Sequence, residues 1–167
     1  IDSFQAAGLP VVLTIGSFDG VHRGHLSLIA KNVEKAKEIN GLSVVLTFSP
    51  HPSRVLRPEA PTPQIMPLEE TLEYFDRAGV EALIVQPFTR DFSRHSAAQF
   101  VKDVLFQKVR PQCFVVGYDF AFGADRGGSK ELLLDLGRQL GFEVYEAEPL
   151  LVEGRPVSSS WLRELLA

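Results

Sequence analysis

Two histidines, His22 and His25, lie three residues apart in the glycine-rich segment 16–25, which reads GSFDGVHRGH. The segment follows the apolar run Val11–Ile15 and leads into a helical pattern, so the predicted order is strand, glycine turn and helix. The first backbone N–H groups of a helix lack intrahelical partners and carry the positive end of its dipole, so they attract anions. Side chains three apart share one helix face. The spacing therefore predicts a phosphate-like anion held against two imidazoles.

The glycines of this segment, Gly16, Gly20 and Gly24, allow tight turns and close approach of a ligand to the backbone. Two other interpretations of the histidines stay open at this point: a helix cap or satisfied structural histidine, and a metal site. Zinc needs about four ligands. The single cysteine, Cys113, lies in an apolar strand pattern, where it fits a small core residue. The pattern therefore favours phosphate binding over a metal, and we assign no metal ligands.

The composition is that of an ordinary domain with a hydrophobic core. The 167 residues are 45% hydrophobic and carry a formal net charge of -4, so we expect one domain over residues 1–167. Lys and Arg are scattered rather than clustered, which argues against nucleic acid or an anionic membrane surface and for a small-molecule ligand. No apolar run approaches the roughly 20 residues of a membrane-spanning helix.

The sequence gives two further expectations, one about cellular location and one about whether the chain is part of a longer protein. A single cysteine cannot form an internal disulfide, and the start of the chain has no basic segment followed by an apolar core, so we expect a cytoplasmic protein. The chain begins without Met and stops inside a helical pattern over residues 162–167, so we expect an excised domain.

Strand-like and helix-like patterns alternate along the chain. Five apolar runs predict strands buried on both faces: Val11 to Ile15, Leu42 to Phe48, Ala82 to Gln86, Cys113 to Gly117 and Phe142 to Ala147. Between them lie helical patterns over residues 26–39, 67–79, 96–105 and 129–140. This alternation predicts an α/β fold, a Rossmann-like doubly wound parallel sheet of about five strands, with a ligand crevice at the carboxyl ends of the strands.

Three loops should meet in that crevice because each follows a predicted strand. They are residues 16–25 after the first strand, 49–52 after the second and 117–126 after the fourth. The connection 50–67 contains six prolines and is longer than usual for such folds. A connection of this length is typical of a lid or a binding loop.

Four ordered motifs point to a family. They are residues 16–25, TFSPHP at 47–52, VGYDFAFG at 116–123 and VSSSWLR at 157–163. Together they closely resemble the FMN adenylyltransferase (FAD synthetase) module of the bifunctional bacterial riboflavin kinase/FAD synthetases, and the likeness runs nearly end to end. The histidine motif alone would mark only the nucleotidylyltransferase superfamily and its fold.

The resemblance implies a reaction in which the 5′-phosphate of FMN attacks the α-phosphorus of ATP and gives FAD and pyrophosphate, with Mg²⁺ on the phosphates. Such transfers rely on positioning and charge stabilisation rather than on a protein nucleophile. His22 and His25 are then assigned to the ATP phosphates, and Arg163 to the departing pyrophosphate. Ser159 and Ser160 would add hydroxyls and amides from a helix start.

The same resemblance implies the substrate-binding residues. On the nucleotide side they are Gly16, Ser17, Phe18, Asp19, Gly20, Gly24 and Ser158. On the flavin side they are Phe48, Pro50, His51, Pro52, Leu56, Asp119, Phe122 and Arg126. A flavin ring needs apolar walls with a few polar groups that fix its orientation. Asp119 can accept a hydrogen bond from flavin or ribose, Arg126 can meet a phosphate, and Asp19 either orients the histidine loop or approaches Mg²⁺.

Plainer interpretations accompany these assignments. His51 lies between two prolines and is equally compatible with an exposed loop position. The serine run is also a suitable helix cap, and Trp161 fits packing of the last helix as well as a contact with adenine. The alternatives to FMN adenylyltransferase are a nucleotide- or flavin-binding regulatory module without turnover, and a nucleotidylyltransferase with another phosphate acceptor. We also expect a riboflavin kinase domain in the parent chain.

Overall fold

Five parallel strands form the central sheet. The computed structural model describes residues 1–167, except for the side chain of Asp125. The strands are β1 (Val11–Ile15), β2 (Leu42–Ser49), β3 (Ala82–Pro87), β4 (Cys113–Gly117) and β5 (Glu143–Ala147). They lie in the order β3-β2-β1-β4-β5, and all four pairings are parallel. The predicted α/β fold is confirmed.

The four helical patterns predicted between the strands are present as helices, whereas a short helix after β2 was not predicted and the last helix follows the final strand. The helices are α1 (Arg23–Glu38), α2 (Pro52–Leu56), α3 (Leu68–Arg77), α4 (Ala97–Gln99), α5 (Lys130–Leu140) and α6 (Ser159–Leu166). Helix α4 begins with a capping box, because Ser96 and Gln99 exchange side-chain to backbone hydrogen bonds at its start. Helix α4 continues as a π-helix over Phe100–Phe106, a widening that the apolar periodicity did not predict.

Alternate residues of each inner strand face opposite helical layers. On one face, Leu13 belongs to a core cluster with Val101 of the π-helix and Leu133 of α5. On the other face, Val45 packs with Ile29 of α1 and Phe75 of α3. A sheet covered on both sides in this way is doubly wound, and its inner strands are apolar on both faces for that reason.

A buried asparagine ties α1 to the sheet. Asn32 is fully buried, and its amide nitrogen donates to the Val12 carbonyl at 3.0 Å and to the Thr14 hydroxyl at 2.9 Å. Its amide oxygen accepts from the Ser43 hydroxyl at 2.6 Å. Because these bonds reach both β1 and β2, they fix the rotation and height of α1, and with it the position of the loop that precedes the helix.

The strand order places a topological switch point between β1 and β4. The chain winds outward from β1 through β2 to β3 and then returns to β4 on the other side of β1. At such a point the loops after the two central strands separate and leave a crevice. The loop after Ile15 and the loop after Gly117 therefore flank the expected ligand site.

One sequence expectation is wrong in detail, and one element was not predicted. Strand β5 is not buried on both faces, since Glu143 is exposed and the next three residues are half-buried, because β5 is an edge strand. A hairpin of Leu151–Val152 and Arg155–Pro156, labelled β6 and β7, was not predicted. Strands of two residues carry too little alternation to recognise, although Glu153 and Gly154, both at positive φ, supply the turn.

Candidate functional site

A cleft of about 420 Å³ opens at the carboxyl ends of β1 and β4. It brings together most of the residues predicted for nucleotide binding and catalysis, and with them Asp119 and Arg126, which were predicted for the flavin side. These are Ser17, Phe18, Asp19, His22, Gly24, His25, Asp119, Arg126, Ser158, Ser159, Ser160 and Arg163. The cleft also includes His51 from the loop after β2. The fold thus gathers side chains from both ends of the chain around one space.

His22 is the N-cap of α1, and this role defines its tautomer. Its Nδ1 atom accepts the backbone N–H of His25 at 3.2 Å. An accepting ring nitrogen carries no proton, so the neutral imidazole has its proton on Nε2. One side chain therefore caps the helix with one nitrogen and keeps an N–H donor on the other.

The two imidazoles stack face to face, with ring centroids 3.6 Å apart and planes inclined by 17°. Phe18 packs edge-on against His25, with ring centroids 5.2 Å apart, and so restrains the His25 ring. Burial, with a smaller contribution from the neighbouring His22, lowers the pKa of His25 to about 3. Burial also lowers the pKa of His22, partly opposed by the negative charge of Asp119. Both rings are therefore neutral near pH 7 and act as polar groups rather than cations.

One nitrogen of this pair lacks a partner. His25 Nδ1 is buried and accepts or donates no hydrogen bond within the part of the chain that the structure describes. Buried polar atoms are almost always paired, so an unpaired one calls for an explanation. The His25 ring is therefore held by its stacking on His22 and by Phe18 rather than by a hydrogen bond at Nδ1.

Helix α6 brings a second helix start to the cleft. Ser158 caps it by accepting the Trp161 N–H at 3.2 Å. The Ser159 hydroxyl donates to the Asp19 carbonyl at 2.8 Å and so links α6 to the histidine loop. The predicted helix cap is thus present, and the Ser160 side chain lines the cleft beside it. Gly24 makes room for this approach, because a Cβ there would lie 3.1 Å from the Val157 carbonyl oxygen.

Arg163 is held by two segments that are distant in sequence. Its Nη2 pairs with the Asp19 carboxylate at 2.5 Å, and its Nε donates to the Pro63 carbonyl at 2.9 Å. The other carboxylate oxygen of Asp19 accepts the backbone N–H groups of Ile65 and Met66 at 2.8 and 3.1 Å. Both oxygens of Asp19 therefore have protein donors.

A second cavity, of about 270 Å³, adjoins the cleft on the side of β2. Its walls include Phe48, Pro50 and Met66, and it shares Ser17, Asp19 and His51 with the main cleft. His51 caps α2 by accepting the Ser53 N–H on Nδ1 at 3.2 Å, so its neutral ring also carries its proton on Nε2. Burial lowers the pKa of His51.

Several predicted residues line neither cavity. Leu56 lies in α2 and is half exposed, and Pro52 begins the same helix. Phe122 is buried in the core, where it stacks on Phe120 at 5.1 Å. Gly16 and Gly20 lie in the histidine loop and serve its packing. Gly20 has φ +83°, and a Cβ there would lie 2.9 Å from Ile65 of the proline-rich loop.

The cavities also contain residues that the sequence analysis missed. Glu148, Pro149 and Leu150 follow β5 and line the main cleft. The rule that ligands bind beyond strand carboxyl ends would have included them. Arg54 and Gln64 line the second cavity, and no local pattern marks them, because their place depends on how the loop 50–67 folds back.

The site has the character of a phosphate-handling nucleotide site. Two helix starts, neutral imidazole donors and an arginine converge at the switch point of a doubly wound sheet, which defines a nucleotide-binding α/β domain. Among the described residues, no three His, Cys, Asp or Glu side chains are grouped as metal ligands. None of the described helices is both long and apolar enough to cross a membrane.

The chain belongs to the FAD synthetase family, whose family model matches residues 5–161. The bifunctional riboflavin kinase/FMN adenylyltransferase of Escherichia coli strain K12 is 35% identical over 163 residues, which cover 98% of this chain and 52% of that protein. The enzyme of the same description from Pseudomonas fluorescens is 36% identical over 156 residues, covering 93% and 50%. The predicted family is confirmed. This chain spans about half the length of the curated relatives it matches.

A solved structure gives the same fold. It is described as a macrolide-efflux protein from Streptococcus pneumoniae and superposes with a TM-score of 0.82 at 28% identity. The match covers 94% of this chain and 51% of that one. The agreement in fold extends over nearly all of the present chain.

Proposed function

We propose that this domain is an FMN adenylyltransferase, which transfers AMP from ATP to the 5′-phosphate of FMN and releases pyrophosphate. One observation carries the proposal: the histidine pair and Arg163 face one cleft, which shares Ser17, Asp19 and His51 with a second cavity of mixed lining whose walls include the apolar side chains of Phe48, Pro50 and Met66. A reaction that joins a nucleotide to a flavin phosphate needs a polar space for phosphates beside an apolar space for an aromatic ring. Family membership supports the same assignment.

The chemical step is an in-line displacement at phosphorus. An oxygen of the FMN phosphate forms a bond to the α-phosphorus of ATP, and the bond from that phosphorus to the bridging oxygen of the β-phosphate breaks. Pyrophosphate leaves with the electron pair of the broken bond. Because no protein atom becomes bonded to phosphorus, the side chains act by positioning and by stabilising the negative charge that moves to the leaving group.

The histidines act as neutral donors. We assign the Nε2–H of His22 to an oxygen of the α-phosphate, because its Nδ1 is already used for the cap of α1. His25 stacks beneath it and limits the directions in which the His22 ring can turn. A neutral donor keeps its hydrogen bond throughout the reaction and loses no proton that would have to be restored.

Arg163 and the start of α6 act on the leaving group. The guanidinium is a permanent cation with a planar fork of donors. Its hydrogen bonds to Asp19 and Pro63 use Nη2 and Nε, so we assign Nη1 to a pyrophosphate oxygen. Ser160 and the first backbone N–H groups of α6 supply further donors at the same edge of the cleft.

Mg²⁺ enters with ATP as part of the substrate. Both carboxylate oxygens of Asp19 are occupied by protein donors, which favours an orienting role over a place beside the metal. Asp119 lines the same cleft, and we assign it to the sugar or to water bound to the metal. Arg126, which also lines the cleft, is assigned to a substrate phosphate.

For the flavin, we propose the second cavity as the ring site, with Phe48, Pro50 and Met66 as walls. His51 lies on the boundary of both cavities, where its Nε2–H can donate to the FMN phosphate. Residues 1–167 form the adenylyltransferase unit in this proposal. A riboflavin kinase domain in the parent chain and a cytoplasmic location are further parts of it.

The direct test is to incubate the purified chain with FMN, ATP and Mg²⁺ and to resolve FAD and pyrophosphate by chromatography. We expect both products in equal amounts, and their loss in His22→Ala. His95→Ala is the matched control, because His95 lines neither cavity. Tight binding of FMN and ATP without FAD would instead indicate a binding module. Consumption of ATP with another phosphate compound, but not with FMN, would indicate a different acceptor.

A further inference from the structure

Asp19 forms hydrogen bonds to two segments of the chain that are distant in sequence. Its carboxylate accepts the N–H groups of Ile65 and Met66 and pairs with Arg163, while its carbonyl oxygen accepts the Ser159 hydroxyl. These partners come from the proline-rich loop 50–67, here called the flavin-side loop, and from α6, up to 144 residues away from Asp19. Few single residues could link the two sides of the cleft so directly.

A further hydrogen bond joins α6 to the same loop without involving Asp19. Arg163 Nε donates to the Pro63 carbonyl, which lies in the same loop as Ile65. Asp19, the segment 63–66 and Arg163 therefore each contact the other two. The Asp19 side chain is only 4% exposed and that of Arg163 only 22%, so the ion pair is largely shielded from water. A shielded, hydrogen-bonded pair holds one geometry far better than an exposed pair.

We infer that Asp19 is the positioning residue for Arg163. It holds one edge of the guanidinium while Pro63 holds Nε, so that the remaining donors point at the phosphates. Because the same carboxylate anchors the flavin-side loop, the place of the pyrophosphate-binding arginine and the wall of the second cavity depend on one side chain. This inference rests on the proposed function for the identity of the phosphates, whereas the positioning itself rests on the contacts.

Two substitutions separate the two tasks of the carboxylate. In Asp19→Asn the amide oxygen still accepts from Ile65 and Met66, but the amide NH₂ faces the guanidinium and cannot accept from it. Asp19→Ala removes both sets of bonds. Asn should therefore disturb only the arginine, while Ala should disturb the arginine and the loop.

The experiment is a double-mutant cycle measured by initial rates of FAD formation. We expect Asp19→Asn to lower kcat about 10²-fold, as a misplacement near 1 Å can do, with KM for FMN within about 2-fold. Arg163→Ala should lower kcat at least as much, and adding Asp19→Asn to it should change kcat by less than about 2-fold. Asp19→Ala should also raise KM for FMN. The matched control is Glu164→Gln, which lies on the same helix as Arg163 and alters only an exposed ion pair with Arg155 of β7.

The results separate this inference from the proposed function. If the wild-type chain forms FAD and Asp19→Asn keeps its kcat, or if the two substitutions act additively, positioning by Asp19 is overturned while the function stands. If the wild type forms no FAD, the same cycle is measured as ATP affinity by calorimetry without FMN. Non-additive weakening then supports positioning, and additive weakening or none overturns it.

A substitution of Arg163 keeps the inference testable if Asp19→Asn does not fold. Arg163→Lys keeps the positive charge but lacks the planar fork whose separate nitrogens bind Asp19 and the Pro63 carbonyl. If Asp19→Asn fails to fold by circular dichroism, we expect Arg163→Lys to lower kcat about 10-fold or more with KM for FMN little changed. Wild-type kcat in Arg163→Lys would overturn the inference.

Discussion

Helices α1 and α6 both begin at the cleft and are both capped by a side chain, yet they are attached to the molecule in different ways. Helix α1 buries Ile29, Asn32 and Ala36 against the sheet. Helix α6 has no buried residue, and its last leucines, Leu165 and Leu166, are 69% and 72% exposed. Polar bonds to Asp19 hold it instead.

This difference divides the phosphate site into two halves. The fixed half consists of His22, His25 and the start of α1, and the docked half consists of Arg163 and the start of α6. The histidine half is part of the core, so its geometry is set when the sheet folds. The arginine half depends on a few polar bonds, which place a segment at the low end of local stability. A substrate phosphate chain that contacts both halves would bind the docked helix more firmly. Four predictions test this comparison, from the largest expected effect to the smallest.

The first prediction concerns the fixed half. His22→Ala should lower kcat for FAD formation about 10²- to 10³-fold, the usual cost of losing one charge-stabilising donor. His22→Asn should lower it equally, although Asn is a good N-cap and restores the helix start. Initial rates and thermal denaturation of both variants provide the measurement. An Asn variant with wild-type turnover would mean that His22 serves only as a cap.

The second prediction compares the anchors of the two helices. Asn32→Ala leaves several buried polar partners unsatisfied and should reduce the free energy of unfolding by about 3 kcal/mol. Ser159→Ala removes one bond from α6 to the histidine loop and should cost about 1 kcal/mol. Urea denaturation of each variant measures these values. Equal losses would contradict the distinction between the two halves.

The third prediction is a pH effect on stability. His25 has a pKa of about 3 in the folded chain against an ordinary value of 6.5. The unfolded chain therefore binds the extra proton first, so stability falls as the pH drops from 6.5 toward 3. Between pH 7 and pH 5 this one ring should account for about 2 kcal/mol.

Urea denaturation at the two pH values checks this effect. His25→Gln has no titrating ring at this position and should lose that part of the pH dependence. His22 has a lowered pKa as well and acts in the same direction. A variant with the same slope as the wild type would show that the His25 ring is not held neutral by the fold.

The smallest effect is expected at the exposed pair of α6. Glu164→Gln removes the partner of Arg155, and both side chains are at least half exposed. Such pairs contribute less than about 1 kcal/mol, so stability and kcat should stay near the wild-type values. A substantial loss of stability or of kcat would mean that the exposed ion pair with Arg155, rather than Asp19, holds α6 in place.

Much of the fixed half could be predicted from the sequence. The run Val11–Ile15, the glycine loop and the stripe of α1 are local signals, and strand, turn and helix lie where they indicate. The rule that ligands bind at strand carboxyl ends then predicts, from the sequence alone, that three loops meet around one cleft. The stacked rings and the tautomer of His22 were not predictable, because they depend on side-chain angles and on a cap bond.

The docked half was less predictable for a physical reason. The family motif marked Arg163 and the serines, but their attachment to Asp19 and Pro63 joins segments about a hundred residues or more apart. Nothing in the local pattern specifies such a contact. The same applies to Phe122, whose motif suggested a flavin wall and whose side chain is buried beside Phe100 instead. The sequence-based flavin assignments of Leu56 and Phe122 stay predictions that neither cavity supports.

The most direct test of the account is the reverse reaction. The chain is incubated with FAD, pyrophosphate and Mg²⁺, and the nucleotides are separated by chromatography. If both halves of the site act on one phosphate chain, FMN and ATP should appear in equal amounts, because pyrophosphate attacks the same phosphorus from which it departs in synthesis. Release of FMN with AMP, or no change in FAD, would contradict the account.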